Sequence, residues 1–341
     1  MNQINKESKS RIIVKKKKKS KKKRIFIYIL IFLLLVIGGI TAYVVSLWNK
    51  AEDVANESYE SDGREKSDYR DTIVDPAKDH VSILFVGIDS SEKRNNGTHA
   101  LSDALILATL NIDDKSVKML SIPRDSYVYM PDTDEYDKIT HAHGRGIKAT
   151  IETVENLLEV PVDYYVRLNF NAFVDVVDSL GGITVDVPYE FSEQDSNDSK
   201  NAIHLEAGIQ ELNGEEALAL ARTRKLDNDI ERGKRQQEIM KAIAKKVASV
   251  DSLLKLDESM EAVGKNMSTN LTFSEMQSLV KYGLSSELDI ETLNLSGTDL
   301  WTNRYYLQLN EEDLLNAKAI LKNHLELEGT SDNLENTTEV Q

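Results

Sequence analysis

From Ile25 to Leu47 the chain runs 23 residues without a charged side chain. As a helix rising about 1.5 Å per residue, such a run reaches roughly 34 Å, enough to cross the hydrocarbon core of a bilayer. Twelve basic residues and one acidic residue fill positions 1–24, whereas Glu52, Asp53 and Glu57 follow soon after the apolar run. Basic flanks stay on the cytoplasmic side, so the expectation is a single-pass membrane protein with its N-terminus in the cytoplasm and everything after the span outside. A cleaved signal peptide is the competing reading. Its apolar region is usually shorter than 23 residues, and no small-x-small cleavage pattern follows at Val45–Trp48. The lysine run beside the span is read as topogenic, touching membrane lipid headgroups rather than nucleic acid.

Beyond residue 24 there are 30 basic and 56 acidic residues, and the chain has no cysteine. That balance argues against a nucleic-acid partner. Absence of cysteine excludes disulfides, thiol catalysis and thiolate zinc sites, and suits a surface protein of a bacterium with one membrane, as in Gram-positive organisms. The organisation that follows is a basic cytoplasmic tail (1–24), a transmembrane helix (25–47), a polar extracytoplasmic stalk (48–79), one folded domain (80–327) and an acidic, disordered tail (328–341).

Three apolar, largely β-branched runs, Val81–Ile88, Ala104–Leu110 and Val117–Ile122, read as strands, with Asp113-Asp114-Lys115 as a turn between the second and third. If consecutive strands pair antiparallel, Asp89, Asp103, Arg124 and Asp125 gather at one sheet edge. Ile147, Ile151, Val154, Leu157 and Leu158 follow a helical stripe, Val162–Leu168 returns to strand, and Phe170–Leu180 is a helix stopped by Gly181-Gly182. The expected fold class is α/β, a mixed central sheet flanked by helices.

Two carboxylates at one sheet edge can share a hard divalent cation, and Asp89 and Asp103 are the candidates; a turn-capping role for each is the alternative. Asn213-Gly214 opens a helix to Ala221, and Asn228 with Glu231 has capping-box spacing for a second helix to about Val250. In that helix Arg232, Arg235, Gln236, Ile239, Met240 and Ile243 share a stripe, polar at its start and apolar beyond. With the helix N-terminus favouring anions, Arg222, Arg224, Arg232 and Arg235 can clamp a phosphate or pyrophosphate. A surface ion-pair network with Asp227, Asp229 and Glu231 is the competing arrangement. Lys138 is a further candidate phosphate contact, while His141 and His143 are expected to pack or hydrogen-bond rather than bind metal.

The segments V-G-I-D to Asp89, S-D at Asp103, S-I-P-R-D at 121–125, K-I-T-H-A at 138–142, L-N-F-N-A-F-V-D-V-V-D-S-L-G-G from Leu168 and R-T-R…D-N-D…R…R-Q-Q from Arg222 together resemble the LytR-CpsA-Psr family of membrane-anchored cell-wall glycopolymer transferases. The resemblance spans roughly residues 80–250, and no motif covers 255–327. It implies an enzyme that moves an anionic glycopolymer, teichoic acid or capsule-like, from a polyprenyl-pyrophosphate carrier to peptidoglycan by phosphoryl transfer, with Mg2+ near the pyrophosphate and an apolar tunnel for the lipid. It assigns Asp89 and Asp103 to metal and catalysis, Arg124 to catalysis, and Arg124, Lys138, Arg222, Arg224, Arg232, Arg235 and Gln236 to the pyrophosphate. Two positions depart from the family pattern: Leu101 stands where an arginine is usual, removing one phosphate contact, and Glu231 where a glycine is usual. A non-catalytic polyprenyl-pyrophosphate-binding regulator of the envelope is the alternative reading.

Overall fold

A computed structural model describes residues 21–89, 100–225, 228–247, 264–284 and 288–327. The basic tail before Lys21 and the acidic tail 328–341 lie outside the described residues, as does any extension of the second arginine-bearing helix past Val247. The chain divides into two compact units, Met1–Trp48 and Asn49–Gln341. Helix α1 (Lys21–Ser58), whose residues to Trp48 belong to the first unit, carries the apolar run. Its stretch Phe32–Ser58 is long and apolar enough to cross a membrane, and Phe32, Leu34, Leu35 and Val44 expose more than half of their surface. Burying such side chains in lipid satisfies what water does not.

The second unit is built on a six-stranded mixed sheet. Strands β1 (Val81–Ile88), β2 (Ser102–Asn111) and β3 (Ser116–Ser121) form an antiparallel meander; β6 (Tyr164–Asn169) lies parallel to β1, β11 (Met267–Thr269) antiparallel to β6, and β12 (Asp289–Asn294) parallel to β3. The order is β11-β6-β1-β2-β3-β12. Both faces of the middle strands are covered, which is why β1 and β2 read as near-continuous apolar runs rather than as alternation. Leu84, Val86, Leu105, Leu107 and Leu120 pack with helix α3 (Ile147–Leu158) on one face. Ile83, Phe85, Ile106 and Ala108 face the other, beneath Met240 and the helix Phe273–Leu284. The sheet therefore lies between helical layers, as its apolar runs require.

Two short hairpins sit beside the sheet: β4 (Tyr127–Met130) with β5 (Glu135–Lys138), and β13 (Gly297–Trp301) with β14 (Tyr305–Leu309). A smaller apolar cluster is formed by α4 (Phe170–Ser179), α5 (Gly214–Arg222), α6 (Asp229–Val247) and the ribbon of β7 (Ile183–Val187) with β10 (Gly208–Leu212). Helix α4 ends where its sequence says it should: Gly181 and Gly182 take positive φ, and their N–H groups close back onto the carbonyls of Asp178 and Val177. At Gly182 a side chain would also meet the Leu212 carbonyl at 2.9 Å.

The polar segment 48–79 is not a free stalk, which corrects the reading from composition. Arg64 pairs with Asp62 and, 91 residues on, with Glu155 at 2.9 Å; Arg70 pairs with Asp163 at 2.7 Å. Tyr59 bridges to Thr269 at the sheet margin. Charge density mimics a solvated linker when the partners are remote carboxylates, which a local window does not contain.

Helix α7 is Phe273–Leu284 and α8 is Glu311–His324. The last residue of α8 is buried, with Nδ1 2.7 Å from Thr109 Oγ1 and Nε2 2.8 Å from Ser116 Oγ, tying the helix to β2 and β3. Burial, then Lys118 and His80, lower the His324 imidazole from 6.5 to about 4. A histidine depressed in the folded state contributes stability that is complete above its unfolded pKa and is lost as pH falls through the folded one. Acidification from 6.5 toward 4 is therefore expected to remove about 2–3 kcal/mol. Urea unfolding at pH 7 and pH 4 checks this: the loss is expected in the parental chain and is absent from its His324→Gln variant.

Candidate functional site

The antiparallel register of β1 and β2 brings Ile88 opposite Ser102, so Asp89 and Asp103 meet at one sheet end. Strand β3 finishes at that same end, and Pro123 turns the chain so that Arg124 donates from Nη1 to Asp103 Oδ1. Three residues placed there from sequence are thus brought together. Beside them opens a cavity of about 500 Å³. Asp89, Asp103, Arg124, Asn169, Glu193, Gln194, Arg222, Arg224, Lys225, Arg232 and Gln236 are the charged and amide side chains of its lining; Phe85, Ile106, Val166, Phe173, Leu218, Ile239 and Met240 are among the apolar ones. A charged mouth on an apolar interior fits an amphiphile with an anionic head.

Helix α6 is seated against the sheet by contacts that no local pattern announces. A Cβ at Gly233 would fall 2.5 Å from Ser121 Oγ and 3.3 Å from its Cβ, so glycine lets the helix approach the end of β3 without moving that hydroxyl. One turn on, the Gln237 side chain donates to the carbonyls of Met119 and Leu293, at 2.9 and 2.8 Å, fixing the helix over β3 and β12. Asn228 accepts from the N–H groups of Ile230 and Glu231, capping the helix start as expected.

That seating presents Arg232 to the cavity with only 7% of its side chain exposed. Its Nη2 lies 3.2 Å from Asp229 Oδ1 and 3.4 Å from the Asp103 carbonyl. Burial pushes the Arg232 guanidinium down; Asp229 and Asp103 oppose this, while Arg224 and Arg124 push the same way. The guanidiniums are thus within electrostatic reach of one another, an arrangement that favours an anion between them. Asp229 also takes Arg224, Nη1 to Oδ1 3.3 Å, so one carboxylate spaces two cations. Asp227 lies outside the described residues. Arg222 stacks its guanidinium 4.5 Å over the Phe170 ring and donates to the Asp195 carbonyl at 3.3 Å. Gln236 donates to the Ala221 carbonyl at 3.1 Å from the cavity wall.

Two expected phosphate contacts are placed differently. Arg235 is buried outside the cavity lining, donating from Nε to the Leu220 carbonyl at 3.3 Å and from Nη2 to that of Thr223 at 2.5 Å. It caps the C-terminal carbonyls of α5 and so sets the turn that carries Arg224. Lys138 also lies outside the lining; its ammonium donates to Asp125 Oδ1 at 2.7 Å. Burial alone would raise the Asp125 carboxyl, but Lys138, a hydrogen bond with Asp229 and then Arg124 together outweigh it and hold it below the usual range. The histidines have nearby partners: His143 is buried with Nδ1 2.6 Å from the Ala100 carbonyl, and His141 pairs with Asp137. Leu101, where the resemblance leads one to expect arginine, is 38% exposed and outside the lining. Lys225, by contrast, lines the cavity although sequence did not single it out; its place beside Arg224 was the available signal.

Comparison with known proteins adds a consistent set. The LytR_cpsA_psr family model matches residues 43–323. The chain is 40% identical over 292 residues, 84% of its length and 89% of the relative's, to the polyisoprenyl-teichoic acid–peptidoglycan teichoic acid transferase TagT of Bacillus subtilis. It is 42% identical over 297 residues, 85% of this chain and 73% of the relative, to an uncharacterized Staphylococcus aureus protein. Among solved structures, TagT bound to LIIa-WTA superposes with TM-score 0.66 at 40% identity, covering 77% of this chain and 97% of that one. TagT with bound octaprenyl pyrophosphate lipid gives 0.62 at 38%, with the same coverage.

Proposed function

This chain belongs to the LytR-CpsA-Psr family, and from that premise we propose that its cavity takes a polyprenyl-pyrophosphate-linked anionic glycopolymer and transfers the polymer to peptidoglycan. It is a transferase of the polyisoprenyl-teichoic acid–peptidoglycan type, as its relatives are. The observation that carries the substrate assignment is the cavity itself, with Arg222, Arg224 and Arg232 converging at the mouth of an apolar interior. Guanidiniums offer paired donors matched to phosphate oxygens, and the apolar walls suit an isoprenoid chain.

In the reaction we infer, an acceptor hydroxyl oxygen attacks the phosphorus nearer the glycan. A new P–O bond forms to the acceptor, the bond to the bridging oxygen breaks, and polyprenyl phosphate leaves. Asp89 takes the hydroxyl proton. Arg124, Arg222, Arg224 and Arg232 stabilise the charge spread over the phosphate oxygens, the effect that usually dominates phosphoryl transfer. The donor set of Asp89 and Asp103, two carboxylates on one wall, fits Mg2+, a hard cation that commonly takes one or two carboxylates together with substrate phosphates. When bound there it would neutralise charge on the pyrophosphate. The membrane-anchored chain is read with its N-terminus inside and Asn49–Gln341 outside, facing the wall.

Incubating the purified full chain with a polyprenyl-pyrophosphate-linked teichoic acid, peptidoglycan oligomers and Mg2+ tests the reading. A covalent glycopolymer–peptidoglycan product is expected, lost on chelation and restored by Mg2+. No product in the presence of any divalent cation would sink it; product formed undiminished under chelation would remove the metal from it.

A further inference from the structure

An acid on the wall of an anion-binding cavity weakens that cavity unless it serves a metal, orients a cation or faces something neutral. Asp103 orients Arg124, and Asp89 and Asp103 together suit a metal. Glu193, on the same lining, does neither. Its carboxylate accepts from the N–H of Gln194 at 3.0 Å, and among the described residues no cation pairs with it. Nor, among those residues, do its oxygens gather with those of Asp89 and Asp103 within the span of one ion. The lining cations are engaged elsewhere: Arg124 with Asp103, Arg222 with Asp198, Arg224 and Arg232 with Asp229, and Lys225 with the Ser192 carbonyl. Gln194 also lines the cavity, and its side-chain amide has no protein partner among the described residues.

The backbone fixes which way this acid faces. Strand β8 (Phe191–Glu193) pairs with β9 (Ile203–Leu205), Phe191 opposite Leu205 and Glu193 opposite Ile203. Phe191 and Leu205 are buried in the apolar cluster that holds Ile239, and Ile203 packs against it. The middle pair turns the other way: Ser192 Oγ lies 2.9 Å from His204 Nδ1, and that histidine is half exposed. Side chains alternate along a strand, so Glu193 stands on the inward face with Phe191. Alternation alone would put an apolar residue there, and a carboxylate adds nothing to the cluster. The strand end is also held in place. Lys225 donates to the Ser192 carbonyl, Arg222 to that of Asp195 at 3.3 Å, and the Ser196 N–H to Glu215 at 2.8 Å. Glu193 and Gln194 therefore lie between two backbone contacts to the arginine-bearing segment.

We propose that Glu193 and Gln194 bind the sugar that carries the pyrophosphate, and so select a glycan-bearing donor over a bare lipid pyrophosphate. The inference rests on the donor reading above and deepens it. Of that donor's three parts, a carboxylate disfavours the isoprenoid through its own hydration and the pyrophosphate through its charge. The sugar is what remains, and its chemistry fits. A hydroxyl donates to a carboxylate in a charge-assisted bond, and an amide both donates to hydroxyls and accepts from them. The first sugar is bonded directly to the pyrophosphate, so wall residues beside Arg222 and Lys225 are within its reach. Glu193 then acts in both directions, attracting a donor whose hydroxyls reach it and repelling an anion that brings none.

Calorimetry on the full-length chain in detergent, with a polyprenyl-pyrophosphate-linked glycan and with polyprenyl pyrophosphate alone, separates the two effects. Glu193→Ala is expected to weaken the glycan-bearing ligand about tenfold, the loss of a charge-assisted bond. The same variant is expected to bind bare polyprenyl pyrophosphate about threefold more tightly, because a negative charge has left its surroundings. Glu193→Gln keeps the shape and an acceptor oxygen, so it should show the same gain with a smaller loss. Gln194→Ala is expected to weaken the glycan-bearing ligand alone, about threefold. Parental affinity for the glycan-bearing ligand in Glu193→Ala overturns the proposal. So does an equal loss on both ligands, which would make Glu193 a support of the fold, and so does a loss confined to the KM for the acceptor. If no covalent product forms yet the variants separate the two ligands, the transfer reading falls and the sugar subsite stands. If product forms and Glu193→Ala binds both ligands as the parent does, only the subsite falls. A parental chain that binds neither ligand sinks the donor reading and the proposal together.

Discussion

Replacing Asp103 by alanine is expected to lower the rate of glycopolymer transfer about a thousandfold, a loss on the order of 4 kcal/mol in transition-state stabilisation. Asp103 occupies the second position of β2 and lines the cavity beside Asp89, and its Oδ1 accepts from Arg124. Its removal takes away one of two carboxylates fit for the metal and the partner that aims a guanidinium at the phosphate. The ion pair itself contributes little to folding, because both side chains remain about a quarter exposed; partly solvated pairs are worth about 1 kcal/mol at most. Thermal unfolding should therefore move by only a few degrees while single-turnover product formation collapses. Asp103→Asn separates the two roles. An amide oxygen still accepts from Arg124 but carries no charge for a cation, so Asn is expected to be nearly as inactive as Ala. Transfer at the parental rate in Asp103→Ala would remove the residue from the mechanism, and near-parental transfer in Asp103→Asn would reduce its role to orienting Arg124.

The meander of β1, β2 and β3 was legible because strands buried on both faces read as unbroken apolar runs, and antiparallel pairing then fixed which ends meet. Asp89, Asp103 and Arg124 follow from that alone. The arginine helix shows where legibility stops. Spacings of three and four placed Arg232, Arg235 and Gln236 on one stripe, but such a stripe spans about 100° of the helix surface. Which part of it faces the cavity depends on the rotation of α6, and that is set by Gly233 against Ser121 and by Gln237 reaching the carbonyls of Met119 and Leu293. The result turns Arg232 and Gln236 into the cavity and Arg235 toward the end of α5. That arginines gather at one cavity was readable; that Arg235 faces the end of α5 instead was not. Lys138 was drawn to the site by its neighbours in sequence, yet Asp125, across the hairpin, claims its charge. The segment 288–327 carried no recognisable motif because its contributions, β12 beside β3 and His324 against Thr109 and Ser116, are contacts with residues remote in sequence.

Replacing Arg232 by alanine is expected to weaken binding of polyprenyl pyrophosphate by two to three powers of ten, on the order of 3–4 kcal/mol. The magnitude follows from its burial. A guanidinium on the surface is largely screened, whereas that of Arg232 is 93% covered, and burial works against its charge. An anion between it and Arg224, Arg124 and Arg222 relieves the mutual repulsion of cations held in a poorly solvated mouth, so each loses more on removal than it would in water. The guanidinium stays charged despite the downward push, because arginine titrates far above neutral pH. Arg232→Lys discriminates between charge and shape: an ammonium supplies the charge but neither the paired donors nor the span to Asp229 and the Asp103 carbonyl. It is expected to recover less than a tenth of the lost affinity. Calorimetry or a fluorescent polyprenyl pyrophosphate reads the donor affinity, and peptidoglycan sedimentation provides the control, since acceptor binding should be unchanged. Parental donor affinity in Arg232→Ala would place the pyrophosphate elsewhere and leave Arg232 as an ion-pair partner of Asp229.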